Sequence, residues 1–290
     1  MAKTDKYSIR DLKKDFPTEE ACLDLIFDTL HSRDCSCGGT YRQINGRKQY
    51  QCSKCRFQIA PASTTIFHKS DTPLSLWFHA IFIFSNAKSG ISAKEMERQL
   101  GVTYKCAWRI LSLIRKALKQ SNKKLRGGVE IDTGFFGGRG NAGKNNEDLS
   151  KVMARKAVVT IAVERNGQIR AEIVPDATAK TMQDFIDRNV EKEHTTLITD
   201  SSKVYGRSDK VWNREKVDHH KKEYVRGDIH INTVETFFSH LKRSIKGTFK
   251  SISKQHLQSY LDSFVFHYNN RYNDKERFGV LLGTVLHASR

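Results

Sequence analysis

The spacing of apolar residues along the chain changes at Gly127-Gly128. Before these glycines the apolar positions recur with helical spacing, as between Thr18 and Leu30 and between Ser92 and Ile114. After them, short apolar runs predict strands, with one helical pattern placed before the last run. The predicted strands are Val129 to Asp132, Ala157 to Val163, Ile169 to Val174 and Thr196 to Thr199, and the helix is Ala179 to Val190.

The order of these elements predicts an α/β fold. Three strands, a helix and a fourth strand follow one another as in the ribonuclease H-like fold, a mixed sheet with helices packed on it. In that order Asp132 lies on the first strand and Asp200 at the tip of the fourth, so we expect both at the same end of the sheet centre. A later helix carries Glu235 and Lys242 on one side. Its apolar face is formed by residues 234, 237, 238 and 241.

Three carboxylates that converge in this way suit divalent metal ions. Two Mg²⁺ or Mn²⁺ ions about 4 Å apart need bridging carboxylates, and they stabilise the attacking and leaving oxygens of a phosphoryl transfer. We therefore expect Asp132, Asp200 and Glu235 to bind metal and Lys242 to contact a phosphate.

Four cysteines lie close together near the start of the chain. One pair precedes Asn45-Gly46, which favours a tight hairpin turn, and the other pair follows it. This arrangement is typical of a zinc ribbon, in which thiolates hold one structural Zn²⁺. The first pair is one residue tighter than usual, so the fourth ligand stays open, and a degenerate ribbon that binds no metal is the alternative. The predicted ligands are Cys37, Cys52, Cys55 and either Cys35 or Asp34.

A helical hairpin is predicted between residues 92 and 118. Ser92 caps a short helix that ends at Leu100-Gly101, and a second helix begins at Thr103. A glycine at the turn is what a helix-turn-helix requires, and the basic segment that follows favours DNA binding over simple helix packing. The side chains expected to reach the major groove are Tyr104, Lys105 and Arg109.

The charge balance favours a polyanionic partner. The net charge is +18, from 50 Lys and Arg against 32 Asp and Glu, and it is spread along the whole chain. The start of the chain lacks the apolar core of a signal peptide, and the most apolar stretch, Leu74 to Phe84, is too short to span a bilayer. We expect a cytoplasmic protein that binds nucleic acid and no membrane.

These signals divide the chain into four predicted regions. They are an N-terminal helical segment (1–30), a zinc ribbon (31–62), a helical DNA-binding region with the helix-turn-helix (63–126) and a ribonuclease H-like catalytic domain (127–290). A lysine-rich linker that ends at Gly127-Gly128 marks the last boundary.

Several motifs occur in one order along the chain. They are Val129-Glu-Ile-Asp132 with Gly137-Gly138, Val174-Pro-Asp176, Thr199-Asp200 with Tyr205, Glu223-Tyr-Val-Arg226, His230-x-Asn232-Thr-Val-Glu235 continuing to Lys242-Arg243, and Lys254-x-His256 continuing to Tyr268-Asn-Asn-Arg271. In this set the chain resembles the zinc-ribbon insertion-sequence transposases of bacteria, a DDE group whose cores are similar to those of the eukaryotic Merlin elements.

The resemblance implies a complete reaction. It implies binding of terminal inverted repeats, hydrolytic nicking that frees a 3′-OH, and attack of that 3′-OH on target DNA. Because two DNA ends must be paired, it also implies a homodimer or a larger assembly. Some members use Asn in place of the third carboxylate, so Asn232 is expected to share the role of Glu235, and Lys242 and Arg243 are expected DNA contacts. Thr133 departs from the Glu that the family usually has after its first Asp.

Two other functions are compatible with the sequence. One is a non-catalytic DNA-binding regulator, or an inactive relic, that uses only the ribbon and the helix-turn-helix. A pure binder has no need of acidic residues in an electropositive groove, since unneutralised carboxylates repel phosphate. The other is a ribonuclease H-like nuclease for repair or RNA processing, which the ordered motif set disfavours.

Overall fold

The chain folds into two compact units in a computed structural model, which describes residues 6–137, 156–218, 221 and 225–288. Gly138, Glu223 and Tyr224 of the motif set lie outside these residues. Unit 1 comprises Met1–Lys119 with Asn270–Arg290, and unit 2 comprises Gln120–Asn269. The helices are α1 (Ile9–Asp15), α2 (Glu19–Leu30), α3 (Leu74–Asn86), α4 (Ala93–Leu100), α5 (Tyr104–Ala117), α6 (Ala179–Asn189), α7 (Asn232–Ser244), α8 (Lys254–Asn269) and α9 (Arg277–His287). The strands are β1 (Tyr41–Gln43), β2 (Tyr50–Cys52), β3 (Gln58–Ile59), β4 (Leu125–Phe136), β5 (Ala157–Glu164), β6 (Ile169–Val174), β7 (Val190–Asp200) and β8 (Asn213–Val217).

The end of the chain belongs to unit 1, whereas the sequence prediction assigned it to the catalytic domain. Helix α9 packs there through an aromatic contact, since the rings of Phe278 and Tyr7 stack with their centroids 5.2 Å apart. Arg277 is also buried, and its Nε donates a hydrogen bond to the carbonyl of Asn270 at 3.1 Å. The four predicted regions otherwise stay a prediction.

A small antiparallel sheet of β1, β2 and β3 forms the ribbon in unit 1. The predicted hairpin joins β1 to β2, and Gly46 at its turn has a φ of 69°, a backbone conformation that glycine adopts without strain. The ribbon rests on α2, where the rings of Phe27 and Tyr50 stack at 4.0 Å. An aromatic contact of this kind adds to the small core that the ribbon could bury alone.

The predicted helix-turn-helix is present as α4 and α5. Ser92 and Thr103 cap the two helices, because each side-chain oxygen accepts a hydrogen bond from the backbone N–H three residues on. Gly101 ends α4 in the left-handed conformation, with a φ of 66°. Of the residues that the pattern predicts on the inner side of the second helix, Val102 is partly buried and the other four are buried. These four are Ala107, Ile110, Leu111 and Ile114.

Unit 2 is built on a mixed five-stranded sheet in the order β6-β5-β4-β7-β8. Strand β5 runs antiparallel to its neighbours β6 and β4, whereas β7 runs parallel to its neighbours β4 and β8, as the ribonuclease H-like order predicts. Strand β4 is longer than the sequence predicts, since Gly127 and Gly128 lie inside it, at a shift in its register with β7, instead of in a linker. The φ of 76° at Gly127 explains why a glycine occupies this irregular position.

Helices cover both faces of this sheet. On one face α6 packs against Val129 and Ile131 of β4 through a cluster that includes Phe185. On the other face α7 and α8 pack over Phe136 of β4 and over β5. Because side chains alternate along a strand, the even-numbered residues of β4 face α7. Asp132 therefore lies under the helix that carries Glu235.

None of the helices in the described part of the chain combines the length and the apolarity needed to cross a membrane.

Candidate active site

Asp132 and Asp200 lie side by side on two neighbouring strands. Strands β4 and β7 run parallel, and Ile131 pairs with Thr199, so the next residue on each strand is one of the two acids. Neighbouring strands are separated by about 4.8 Å. The parallel direction of these strands thus brings together two carboxylates that are far apart in the sequence.

Helix α7 approaches β4 closely along the face that carries Asp132. A Cβ built on Gly134 would lie 2.9 Å from Cε1 of Phe238, so only glycine permits this approach. Further along, the Nζ of Lys242 lies 6.0 Å from the ring centroid of Phe136 and 5.7 Å from that of Phe238. Glu235, Phe238 and Lys242 follow one side of α7, since they are three and four residues apart. The docking brings this side of the helix to Asp132.

A buried glutamate on β4 holds the first turn of α7. Glu130 is fully buried, and its carboxylate accepts hydrogen bonds from the backbone N–H groups of Thr233 at 2.8 Å and Val234 at 3.1 Å. The hydroxyl of Thr233 adds a third bond at 3.0 Å, and the Nε of Arg165 adds a fourth at 3.0 Å. A negative charge at a helix N-terminus satisfies free N–H groups and complements the helix dipole. Glu130 thus fixes the helix that carries Glu235 to the strand that carries Asp132.

Sequence reasoning missed Glu130. Its position two residues before Asp132 shows that the two acids share a face, but its partners on α7 lie more than a hundred residues away in the chain. His230 also lies beside it, with Nδ1 3.4 Å from the Glu130 carboxylate. The structure therefore places His230 against the anchor of α7.

The electrostatics of Asp132 differ from those of Glu130. Burial raises the pKa of Asp132 to about 6, a hydrogen bond from the Thr133 N–H opposes the shift, and the charges of Asp200 and Glu235 raise the pKa further. Lys242 opposes this shift through its positive charge. A partly buried carboxylate next to two other acids is the electrostatic setting in which a divalent cation is favoured. The oxygen-only donor set also suits Mg²⁺ or Mn²⁺.

Arg214 organises the strand end that carries Asp200. Its side chain is almost fully buried, and its guanidinium donates to the carbonyls of Asp200 at 2.8 Å and Tyr205 at 3.0 Å, and to the Thr199 hydroxyl at 2.8 Å. The guanidinium also lies over the Tyr205 ring, 5.5 Å from its centroid. No sequence pattern singled out Arg214, because two of its four acceptors are backbone carbonyls and the other two are the side chains of Thr199 and Asp209.

Three further residues that the sequence singles out differ in their surroundings. Asn232 is the first residue of α7, exposed and one turn before Glu235. Arg243 is exposed beside Lys242. Thr133 points to the opposite face of the sheet from Asp132, where its hydroxyl lies 2.9 Å from that of Tyr205. A family Glu at position 133 would thus start from the face opposite the three acids.

The four predicted cysteines converge in the ribbon. The Sγ atoms of Cys35 and Cys55 are 3.7 Å apart, and those of Cys37 and Cys52 are 3.4 Å apart. All four sulfurs lie within 4.8 Å of one another. Tetrahedral Zn²⁺ with Zn–S bonds of about 2.3 Å requires sulfurs about 3.8 Å apart, so these residues fit a zinc ion.

The structure favours Cys35 over Asp34 as the fourth ligand. Cys35 is part of the sulfur cluster, whereas Asp34 forms a backbone bridge with Thr40. A Cβ on Gly39 would lie 2.6 Å from the Cys52 sulfur, so the turn after the first cysteine pair must carry a glycine. Within the described residues, no set of three carboxylates or imidazoles lies as close together as these thiols. The three acids of unit 2 are therefore grouped less tightly than the four thiols.

The exposed face of α5 combines aromatic and basic side chains. Tyr104 and Trp108 are 50% and 46% exposed, and Lys105 lies between them in sequence on the exposed surface. Arg109 is half-buried, with Nη1 3.5 Å from the Ser70 hydroxyl. Sequence reasoning missed Trp108, although an exposed tryptophan four residues after Tyr104 is the signal of an aromatic contact surface.

Unit 2 matches a known protein family. The sequence profile of the ISXO2-like transposase domain matches residues 124–269, half of the chain and nearly all of unit 2. The chain belongs to the ISXO2-like transposase family. This family assignment confirms the insertion-sequence transposase resemblance, and the match spans all three acids and Lys242.

Two individual proteins are similar to this family member. An uncharacterized protein in the transposable element ISH50 of Halobacterium salinarum is 27% identical over 239 residues, which cover 78% of this chain and 79% of the relative. A chain in a cryo-EM structure of a simian T-cell lymphotropic virus intasome with the PP2A regulatory subunit B56 gamma aligns at 11% identity. That alignment covers 66% of each chain with a TM-score of 0.28.

Proposed function

We propose that this protein binds the terminal inverted repeats of an insertion sequence and catalyses metal-dependent strand cleavage and strand transfer. The observation that carries the proposal is the setting of Asp132, which is half-buried beside Asp200 and within the electrostatic reach of Glu235. A protein that only binds DNA gains nothing from such a cluster of acids in a chain of net charge +18.

In this proposal Asp132, Asp200 and Glu235 are the metal ligands. Two divalent ions bound there would stabilise the attacking and leaving oxygens at the phosphorus. Lys242 is exposed at the same side of α7, where its ammonium can donate hydrogen bonds to a phosphate oxygen. Asn232, one turn before Glu235, can supply an amide oxygen to the same group of ligands.

The anchoring residues set the geometry of these ligands. Glu130 fixes the start of α7 and hence the position of Glu235, and Arg214 fixes the end of β7 and hence Asp200. Glu235 is exposed, and the three acids are grouped less tightly than the four thiols of the ribbon. We therefore expect Glu235 to move toward Asp132 when the metal and DNA bind.

DNA recognition is assigned to unit 1. The exposed face of α5, with Tyr104, Lys105 and Arg109, is proposed to enter the major groove. The sulfur cluster of the ribbon is proposed to hold a structural Zn²⁺ that stabilises its short strands. Because a transposase must hold two DNA ends, the active form is proposed to be a homodimer or a larger assembly.

The test is strand cleavage of the DNA that flanks the gene. Purified protein with Mg²⁺ should release strand-specific nicks with a free 3′-OH, and Asp132→Asn should abolish them without loss of DNA binding. Asp184→Asn makes the same chemical change at an exposed residue of α6 and should cleave like the unaltered protein. Tight, sequence-specific binding by the unaltered protein with no nick at any divalent ion would instead support a non-catalytic regulator or an inactive relic.

A further inference from the structure

A cavity of about 740 Å³ opens in unit 2 beyond the C-terminal end of α7. Its apolar lining comes from Phe136 at the end of β4, Ile245 and Ile252 after α7, and Leu257 on α8. This volume lies within the range of about 300 to 1,000 Å³ that is usual for sites that enclose a small ligand. The cavity therefore has room for a nucleobase with its sugar.

Three lysines line the same cavity. Lys246, Lys250 and Lys254 are all exposed, and the described residues that line the cavity include no Asp or Glu. An apolar interior with a purely cationic rim complements a ligand that has an apolar body and anionic ends. A nucleotide within a DNA strand has this chemistry, because the base is flat and apolar on its faces and a phosphate flanks it on each side.

The backbone around the cavity has an unusual conformation. Residues Ile245–Phe249 form a π-helical turn at the end of α7, and Lys250 has a φ of 64° with a ψ of −50°. Such π turns are frequent at functional sites, and a lysine at positive φ is strained unless its surroundings hold it there. This local geometry presents Lys250 at the cavity.

The cavity adjoins the candidate active site. Phe136 lies on β4 four residues after Asp132 and on the same face of the strand. The Nζ of Lys242 lies 6.0 Å from the centroid of the Phe136 ring. A DNA strand with one phosphate at Lys242 would thus place the neighbouring nucleotide near the cavity.

We propose that this cavity receives an unpaired nucleotide of the DNA strand next to the cleaved bond. A paired base keeps its faces stacked inside the duplex, so only an unpaired nucleotide can place its base against the apolar interior. The lysines would then bind the phosphates on either side of that base. This inference rests on the proposed function and specifies which part of the substrate the site recognises.

The test compares two DNA probes that share the terminal sequence of the element. One is a blunt duplex and the other carries a short single-stranded extension at the cleaved end. The unaltered protein should bind the extended probe about tenfold more tightly, since one enclosed base contributes about that much. In the variant Lys246→Ala/Lys250→Ala/Lys254→Ala this preference should disappear, and the salt dependence of binding to the extended probe should fall by about two phosphate contacts.

Two controls separate charge, shape and folding. Lys180→Ala/Lys192→Ala/Lys210→Ala removes the same charge from exposed positions of unit 2 outside the cavity and should keep the preference. Ile252→Trp fills the cavity without a change of charge and should remove the preference while thermal unfolding shows an intact fold. Equal effects of the two triple variants, or an Ile252→Trp protein that keeps the full preference, would overturn the inference.

The outcomes also distinguish this inference from the proposed function. A protein that cleaves the element's end but binds both probes equally retains the proposed function and lacks the nucleotide site. A protein that neither binds nor cleaves either probe lacks both.

Discussion

Replacing Asp132 with Asn should stabilise the metal-free protein at neutral pH. The Asp132 carboxylate is half-buried, and its partial desolvation, together with the charges of Asp200 and Glu235, raises its pKa to about 6. An asparagine has nearly the same shape and can still accept the hydrogen bond that the Thr133 N–H donates to Asp132 at 2.7 Å. The substitution therefore removes an unfavourable charge and leaves the local packing in place.

The expected gain in stability follows from the size of the Asp132 pKa shift. A pKa that rises from 3.8 to about 6 corresponds to about 3 kcal/mol at pH 7, because each unit is worth about 1.4 kcal/mol. For a folded unit of this size that is an increase of about 6 to 12 °C in the unfolding midpoint. Since the folded pKa lies above the unfolded one, the unaltered protein keeps its full stability below about pH 4 and loses this contribution as the pH rises through about 6. The difference between variant and unaltered protein should be near zero at pH 4 and reach its maximum above pH 6.

Thermal and urea unfolding in EDTA, repeated across this pH range, measure the difference. Glu130→Gln is the matched control, because Glu130 lies on the same face of β4 but its charge is satisfied by α7 and Arg165. This variant should lose about 1 to 3 kcal/mol. Added Mg²⁺ should stabilise the unaltered protein more than Asp132→Asn. An Asp132→Asn protein that is no more stable than the unaltered one at pH 7 in EDTA would refute the electrostatic reasoning.

Three further predictions concern other parts of the molecule. Cys37→Ser should remove the bound zinc and unfold the ribbon, whereas the control Cys22→Ser should keep one zinc per chain. Atomic absorption measures the zinc, and hydrogen exchange of β1 and β2 measures the folding of the ribbon. An unaltered protein that has a folded ribbon but no zinc would contradict the assignment. If Arg109 contacts a phosphate, Arg109→Ala should weaken binding to all DNA sequences and lower the salt slope by about one; if Arg109 reads a base, the variant should relax specificity at one base pair. Affinity titrations at several salt concentrations distinguish these results. Unchanged affinity and unchanged specificity would exclude Arg109 from the interface. Arg214→Ala should lower the rate of strand cleavage more than it lowers DNA affinity, because the substitution releases the backbone around Asp200. Equal losses in single-turnover cleavage and in binding would argue against Arg214 as the residue that positions Asp200.

Local signals in the sequence were sufficient to predict most elements. Ser92 and Thr103 begin α4 and α5 because a hydroxyl at the N-cap satisfies a free N–H, which depends only on residues a few positions away. A continuous apolar run predicted β5, which is buried on both faces, and the alternation of apolar residues with Arg170 and Glu172 predicted β6. Gly127 and Gly128 misled this reasoning, because glycine marks a linker and a strand irregularity equally well.

The sequence by itself thus predicted which residues are candidates for the chemistry and in what order along the fold they lie. The tertiary structure decided what surrounds each of them. Glu130 and Asp132 are indistinguishable as acids on one strand face, yet Glu130 meets the N-terminus of α7 and Asp132 meets two other carboxylates. Likewise Cys35 joins the sulfur cluster and its neighbour Asp34 does not. A side chain's charge and reactivity depend on the groups packed against it, and here those groups come from segments far away in the chain, so only the assembled fold could supply them.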